Sequence, residues 1–253
     1  MSSIGAGEQV GQTDHCSQKD ESATRIGASN VDLCREWQKL RAARTFCDVE
    51  LRGAEAQSPR VPCHRSVLSV HSVYFRTMFL SGMKESKQKV IQLHNIPHAV
   101  LSELIDYCYM ADLLLTENNV QSLLIAAMFL DIVPVMDACW KFMEDHMHVK
   151  NCLMLYCFAS SDAHKNSALA DKAKELVLRH FMSISQGQDF LEVPKNTVID
   201  LICSDRLWVP REDDVMVAVV RWLQHDFEQR RGHFWQILQN IRQSYLSPQC
   251  SDD

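Results

Sequence analysis

The sequence lacks the features of a secreted, membrane-spanning or nucleic-acid-binding chain. Its first residues, MSSIGAGEQVGQTDHCSQKDES, contain no apolar core of the kind that a signal peptide needs. No apolar run approaches the roughly 18 to 20 residues of a membrane span. The formal net charge is −6, with no basic domain, which argues against non-specific binding of nucleic acid. We therefore expect a cytoplasmic protein, with a nuclear location left open, that binds neither membrane nor nucleic acid.

Motifs for catalysis are missing as well. The sequence has no glycine-rich phosphate loop and no G-x-S-x-G turn. Asp48, His64 and Arg65 lie beside predicted strands, where they could suggest acid–base chemistry, but no nucleophile accompanies them. We predict structural roles for these three residues and no enzymatic activity.

A metal site and a cofactor site are also not predicted. His146, His148, Cys152 and Cys157 are close in sequence and chemically able to bind zinc, but their spacing fits no standard zinc module. We expect no metal and no cofactor.

The ten cysteines are interpreted as reduced thiols, because nothing in the sequence indicates an oxidising compartment. Cys108, Cys139 and Cys203 lie among apolar helical neighbours, which predicts buried positions in the core. The hydrophobic content of 46% and charged content of 23% are typical of a globular chain with one large or two ordinary domains.

The chain begins with a predicted disordered tail, residues 1–28, which is rich in Gly, Ser, Gln and Asp. Leu33, Trp37 and Leu40 then form a narrow apolar stripe on an otherwise charged helix. Periodicity alone leaves two possibilities for this stripe: it packs on its own domain, or a partner covers it.

The following residues predict a small mixed sheet wrapped by helices. Strands are expected at 47–51, where apolar and charged residues alternate, at 60–64 and at 90–93. A continuous helix is expected from Ser66 to near Gly82. Further helices are expected to begin at Pro97, Thr116 and Pro134.

From Asn151 onward every periodic segment is helical. Residues 169–184 predict one helix of about four turns, and shorter apolar faces follow at 198–202, 216–227 and 234–241. The change of class places a domain boundary near residue 148.

Several motifs resemble a known pair of domains. The segments FCDVEL from Phe46, VPCHRSVLS from Val61 and YFRTMF from Tyr74 resemble the BTB/POZ domain of kelch-like proteins. The segments NCL from Asn151, SDRLWV from Ser204 and VVRWL from Val219 resemble a BACK domain. The resemblance implies an α+β BTB/POZ domain at 29–148, in which helices wrap a small mixed sheet, and an all-α BACK domain at 149–248. A short tail at 249–253 follows, without a kelch propeller.

The resemblance implies a dimeric, non-catalytic adaptor similar to the kelch-like substrate receptors of cullin-3 RING ubiquitin ligases. Its partners would be cullin-3, a second copy of the chain and full-length kelch-like relatives. Family members dimerise partly by exchanging the N-terminal helix. The positions that match their dimer interface are Leu33, Trp37, Leu40, Asp48 and Arg65, and the last two match a charged pair buried in the dimer core.

Cullin recognition in this family uses a hydrophobic-x-Glu motif, which Met83, Lys84 and Glu85 match. A methionine in this motif fills an apolar pocket, and the glutamate fixes the register of the contact. The remaining positions expected to contact cullin-3 are Leu123, Phe129, Asn151 and Leu153.

Two departures from the family pattern affect the interpretation. Met110 and Ala111 stand where the family often has Thr-Gly, which is expected to alter a neighbouring turn. Because no propeller repeat follows Gln249, the resemblance implies a short form that competes with longer relatives. The alternative is a self-associating scaffold or co-repressor-type protein without a ligase role. In that alternative, a groove near Asp48 and Arg65 binds a peptide, and the match at 83–85 is coincidental.

Overall fold

The structure is a computed structural model that describes residues 30–55, 57–82 and 84–239 of the chain. The predicted tails at 1–28 and 249–253 lie outside these residues. None of the helices described is both long enough and apolar enough to cross a membrane.

The N-terminal half contains the predicted mixed sheet, with β1 (Val49–Arg52), β2 (Val61–Cys63) and β3 (Val90–Gln92). The strand order is β2-β1-β3; β1 runs antiparallel to β2 and parallel to β3. Alternate residues of the central strand face the core, where Leu51 is fully buried. The prediction of a small mixed sheet is confirmed.

Helices surround this sheet. They are α1 (Asn30–Ala42), α2 (Arg65–His71), α3 (Val73–Leu80), α4 (Lys84–Lys87), α5 (His98–Met110), α6 (Val120–Leu130) and α7 (Val133–Asp145).

The continuous helix predicted from Ser66 to Gly82 is wrong, since α2 and α3 are separate helices. Ser72 breaks the run because its backbone is extended, with φ −131° and ψ 121°. Its Oγ accepts a hydrogen bond from the Phe75 backbone N–H at 3.0 Å and donates one to the Leu130 carbonyl at 2.5 Å. Serine is favoured at the N-terminal cap of a helix, where its hydroxyl can also bind another element, and is disfavoured inside a helix.

The predicted helix starts are nearly correct. Pro97 directly precedes α5 instead of occupying its first turn, whereas Pro134 lies in the first turn of α7 as expected. Thr116 does not cap α6 itself. Thr116 and Asn119 close a turn through reciprocal hydrogen bonds between the backbone N–H of each residue and the side-chain oxygen of the other, and α6 begins at Val120.

All the regular secondary structure in the described residues of the C-terminal half is helical, as predicted. Its α-helices are α8 (Cys152–Ser160), α9 (Ser167–Arg179), α10 (Phe181–Ser185), α11 (Lys195–Ile202), α12 (Glu212–His225), α13 (Phe227–Arg230) and α14 (Phe234–Leu238). Short 3-10 turns occur at Asp189–Glu192 and Arg231–His233.

The single helix predicted at 169–184 is wrong, because the chain bends at His180, between α9 and α10. The bend accompanies the burial of Phe181, whose ring meets the ring of Phe190 edge-on with centroids 5.8 Å apart. Burying this aromatic pair therefore stabilises the bend more than a continuous helix would stabilise these residues.

The cysteine predictions are partly correct. Cys108 and Cys139 are free thiols in the core, where burial raises the pKa of Cys108 to about 12 and that of Cys139 to about 11. Cys203 is exposed, so its predicted core position is wrong. It is the C-cap residue of α11, one position beyond the last buried residue of that helix.

A close approach of two backbones connects the sheet to α5. A Cβ atom on Gly53 would lie 2.6 Å from both Cα and N of His98, a distance that no side chain tolerates. Only glycine therefore allows the end of β1 to pass the start of α5. Buried apolar side chains continue from this region through α7 into the C-terminal helices as one cluster.

Candidate functional site

The helix α1, which carries the predicted dimer stripe, packs against α5 of its own chain. Leu33 remains 56% exposed, whereas Trp37 and Leu40 are half-buried. The Trp37 ring meets the ring of His64 at 5.2 Å in an edge-on geometry. In the single chain, the stripe is thus only partly covered.

Leu33 and Trp37 line a pocket of about 310 Å³ between α1, α2 and α5. Val70 and His71 of α2 form its other wall, and Val70 is 71% exposed. We call this pocket, with the exposed side chains of Leu33 and Val70 at its edge, the α1–α2 surface. Burial of His71 lowers the pKa of its imidazole.

Arg41 holds α1 on the domain. Its side chain is 10% exposed; Nη1 donates to the Asp106 carboxylate at 2.6 Å and Nε donates to the Pro62 carbonyl at 3.1 Å. The guanidinium also lies over the ring of Tyr109, 4.8 Å from its centroid. The sequence did not reveal this role, because Arg41 stands among other charged residues of a helix whose charges were expected to be solvated.

His64 connects the segment between α1 and β1 with α5. Nε2 lies 2.9 Å from the Thr45 carbonyl, and Nδ1 lies 2.8 Å from the Tyr109 hydroxyl. A carbonyl can only accept, so Nε2 carries the proton in the neutral ring, and Nδ1 accepts from the Tyr109 hydroxyl. The same hydroxyl accepts from the His64 backbone N–H at 2.8 Å. These contacts agree with the predicted structural role of His64.

Asp48 and Arg65 meet, but not as a buried ion pair. The Asp48 carboxylate is exposed in the single chain and accepts from the Arg65 backbone N–H at 2.8 Å. The Arg65 guanidinium donates to the Ser86 carbonyl and, at 2.7 Å, to the Gln88 carbonyl. It also lies over the Phe79 ring at 4.8 Å. Within one chain, Arg65 therefore fixes the end of α4 and the residue that follows it.

The predicted cullin-contact motif lies at α4. Met83 and the side chain of Glu85 lie outside the described part of the structure, and Lys84 is exposed. The helix α3 packs against both α4 and α6.

Two of the predicted contact residues are wrong. Leu123 is 0% exposed and Leu153 is 4% exposed, so both belong to the core and neither can contact a partner on the folded surface. Helical periodicity could not distinguish the inner from the outer face of these very apolar helices. Asn151 is half-buried, and its side chain bonds the His148 N–H and the His146 carbonyl, which closes the loop before α8.

Phe129 is 40% exposed. It belongs to an apolar surface whose other residues the sequence did not predict. Ile125, one turn earlier on α6, is also 40% exposed, and the Tyr74 ring of α3 lies 5.1 Å from that of Phe129. Leu80, at the end of α3, is 79% exposed. We call Tyr74, Leu80, Ile125 and Phe129 the α3–α6 face. The sequence holds no signal for this face, because the buried residues Leu123 and Ala127 have the same i, i+4 spacing as Ile125 and Phe129.

The four potential zinc ligands are engaged separately. His146 is exposed, and its ring stacks on that of Phe142 with centroids 4.0 Å apart. His148 Nε2 lies 3.9 Å from a carboxylate oxygen of Glu117. The buried Cys152 thiol donates to the Val149 carbonyl at 3.4 Å, and burial raises the pKa of the Cys157 thiol. No group of three metal-ligating side chains occurs among the residues that the structure describes.

Comparison with known families assigns both halves of the chain. Residues 37–147 match the family model of the BTB/POZ domain, and residues 152–253 match that of BACK, described as "BTB And C-terminal Kelch". The chain is a BTB–BACK protein. No kelch repeat is detected within the 253 residues.

A solved structure similar to the BTB half is the BTB domain of zebrafish PATZ1. It is 25% identical to this chain, and the alignment covers 49% of this chain and 99% of that one, with a TM-score of 0.43. BTB domains mediate protein–protein interaction and dimerisation, and BTB–BACK proteins are typically non-enzymatic adaptors or scaffolds.

The BTB and BACK domains contact each other through α7 and the first BACK helices. The Trp140 ring of α7 lies 5.9 Å from the Phe158 ring of α8, and Glu144 forms an ion pair with Lys172 of α9. Met154 of α8 is 52% exposed and lines a pocket of about 200 Å³ between the two domains. An exposed BACK side chain therefore lies beside the BTB surface, at the position next to the buried Leu153.

Proposed function

We propose that this BTB–BACK protein is a dimeric adaptor that recruits cullin-3 into a RING ubiquitin ligase. The observation that carries the proposal is the α3–α6 face, which is exposed and apolar and lies beside α4. The resemblance to kelch-like proteins predicts the cullin contact at this position. BACK, which follows BTB in kelch-like adaptors, adds exposed Met154 near the domain junction.

The chemistry of the α3–α6 face supports binding of an apolar partner surface. Leu80 and Phe129 present large apolar side chains to water, and burying the largely exposed Leu80 in a complex contributes about 1.5 kcal/mol, with a smaller gain from the remaining exposed part of Phe129. The residues at its edge are charged, since Lys84 and Lys87 of α4 are exposed. An apolar centre with a charged rim is the usual composition of a specific protein interface. In this proposal Met83 extends the apolar centre, and Glu85 fixes the register.

Dimerisation in this proposal uses the α1–α2 surface together with Phe46. Phe46 is 79% exposed and has a φ of 61°, a left-handed conformation that an aromatic residue rarely adopts. Its two neighbours are fixed, because the Thr45 carbonyl and the Cys47 thiol both contact His64. A second copy of the chain would cover Phe46, Leu33 and Val70, and would bury Asp48.

The decisive experiment is titration of the cullin-3 N-terminal domain with the full chain. Two variants are each expected to weaken binding about a hundredfold: Phe129→Glu, and the double substitution Met83→Asp, Glu85→Ala. Phe129→Glu and Met83→Asp each place a charge in an apolar contact, and Glu85→Ala removes the contact that fixes the register. Phe227→Glu is the matched control, since Phe227 is 57% exposed on the BACK domain, away from this face. Light scattering checks that every variant keeps the dimer mass.

Two results would contradict the proposal. If the folded wild-type dimer does not bind cullin-3, the ligase role is lost and the scaffold or co-repressor interpretation takes its place. If wild type binds but Phe129→Glu binds equally well, the α3–α6 face is not the contact. A dimer that survives Leu33→Asp together with Val70→Asp would separately contradict the dimer surface.

A further inference from the structure

The BACK domain presents an exposed tryptophan in the segment between α11 and α12. Leu207 and Val209 are half-buried and pack on the core, whereas Trp208 between them is 67% exposed. This alternation is typical of an extended segment with one side on the protein and one side in water. We propose that Trp208 and the neighbouring Arg206 form a docking site for an acidic linear peptide of another protein.

The segment that carries Trp208 is fixed to the domain. The Trp208 backbone N–H donates to the Leu178 carbonyl of α9 at 3.2 Å, and the Leu207 N–H donates to the Ser204 carbonyl at 3.1 Å. The Arg206 N–H donates to the Ser204 hydroxyl at 3.3 Å. The backbone that positions both side chains is therefore ordered before any ligand binds, which lowers the entropic cost of binding.

The two side chains line a pocket of about 400 Å³ against α9, together with Glu175, Leu178 and Arg179. Leu178 is 3% exposed and supplies an apolar floor. The indole ring forms an apolar wall with a donor N–H. This combination accepts an apolar or proline side chain stacked on the indole.

The charges of the pocket select an acidic ligand. Glu175 and Arg179 neutralise each other through an ion pair of 3.0 Å. Among the residues that the structure describes, Arg206 is not part of any ion pair, and its guanidinium is free to bind a carboxylate in a bidentate geometry. One ring and one available cation match a peptide with an apolar residue next to Asp or Glu. A polyanion such as nucleic acid fits poorly, because Glu175 lies in the same pocket and the chain carries a net charge of −6.

Another tryptophan of the BACK domain provides a control. Trp235 is 73% exposed, so replacing it removes as much exposed indole as replacing Trp208. Arg231 is exposed as well and serves as the control for charge reversal. Trp235→Ala and Arg231→Glu therefore test whether any exposed tryptophan or arginine gives the same result.

The test uses arrayed synthetic peptides with a central Pro-Leu or Pro-Phe flanked by glutamate, and matched peptides flanked by glutamine or by lysine. The full wild-type chain is expected to bind the glutamate peptides about tenfold more tightly than the glutamine peptides. Trp208→Ala and Arg206→Glu are each expected to lose about tenfold in affinity, and Arg206→Glu to shift its preference to lysine peptides. Both control variants should bind like wild type.

Thermal unfolding establishes that each variant is folded. Equal binding of glutamate and glutamine peptides, unchanged binding by Trp208→Ala, or no binding of glutamate peptides by the wild-type chain would each overturn the proposal. Cullin-3 binding is measured on the same variants and should be unaffected, since Trp208 is not part of the α3–α6 face. The two proposals can therefore fail independently.

Discussion

The BTB and BACK domains of this chain are stabilised by different kinds of contact. Within the described residues, the buried polar or charged residues of the BTB domain are Arg41, Ser58, His64 and Ser72, whereas the BACK domain has Ser185. In the described ranges 30–55, 57–82 and 84–239, the non-glycine residues with positive φ all belong to the BTB domain: Arg44, Phe46, Ala111 and Asp131. The BACK helices pack mainly through apolar side chains, with a few polar contacts between them, such as the Tyr156–Asp200 and Arg221–Ser185 hydrogen bonds.

This difference concerns specificity as well as stability. The BTB sheet joins segments that are distant in sequence, and its polar contacts fix how α1, the start of β1 and α5 fit together. A buried polar group is costly unless its partner is correctly placed, so such contacts favour one arrangement over others. The BACK helices pack mainly with their sequence neighbours, and apolar periodicity predicts that this half is helical, although it does not predict the break at His180.

The largest effect is expected in the BACK core. Trp222 is 1% exposed, its Nε1–H donates to the Val193 carbonyl at 2.9 Å, and Arg230 lies over its ring at 4.1 Å. Trp222→Ala is expected to lower the free energy of unfolding by about 3 to 5 kcal/mol, because it removes this packing and leaves a cavity. Urea denaturation measures the change.

The control for this prediction is Trp208→Ala, which replaces an exposed ring and should change the free energy of unfolding by less than about 0.5 kcal/mol. Equal effects of the two substitutions would show that burial is not what stabilises the BACK domain.

The next largest effect is expected at Arg41 of the BTB domain. Arg41→Met keeps much of the apolar stem but removes the contacts with Asp106, the Pro62 carbonyl and the Tyr109 ring. The expected loss is about 2 to 3 kcal/mol, measured by urea denaturation.

Lys39→Met serves as the control on the same helix, because the Lys39–Glu36 pair is exposed and such pairs contribute little. A loss at Arg41 no larger than that at Lys39 would mean that the buried polar contacts do not hold α1.

A smaller effect is expected at Tyr109. Tyr109→Phe leaves the His64 backbone N–H without its acceptor and Nδ1 without its donor, in a buried site. The expected loss is about 1 to 2 kcal/mol in the free energy of unfolding. Tyr107→Phe, on the same helix, has no described hydrogen bond to lose and should be nearly neutral. Similar values for both would contradict the assigned network.

The smallest effect is a gain in stability. Ala111 has a φ of 53°, at the left-handed C-cap of α5, where glycine is favoured. Ala111→Gly is expected to raise the free energy of unfolding by about 0.5 to 1 kcal/mol. Ala138→Gly, at an exposed position inside α7, should instead lower it by about 1 kcal/mol. A destabilising Ala111→Gly would contradict the backbone strain at this turn.

The sequence predicts the mixed sheet and the all-helical second half, because these depend on apolar periodicity. It does not predict the breaks at Ser72 and His180, where a side-chain contact or an aromatic pair overrides a continuous pattern. It also misses Arg41, since a charged residue on a charged helix gives no sign that it is buried.

In the candidate site, too, some features follow from the sequence and others require the packing of the helices. The motif at 83–85 could be placed from the resemblance, but the choice of Leu123 and Leu153 failed, because almost every position of those helices is apolar. Ile125, Phe129 and Met154 can be distinguished as exposed only once the packing of the helices is known.

The measurement that tests the proposed function most directly is hydrogen–deuterium exchange of the dimeric chain with and without the cullin-3 N-terminal domain. The proposal predicts that cullin-3 slows exchange in α3, α4 and α6 and at the start of α8, with α1 and β1 unchanged. Slower exchange confined to α1 and to the residues around Asp48 would contradict it, and would instead support a peptide-binding groove on a scaffold protein.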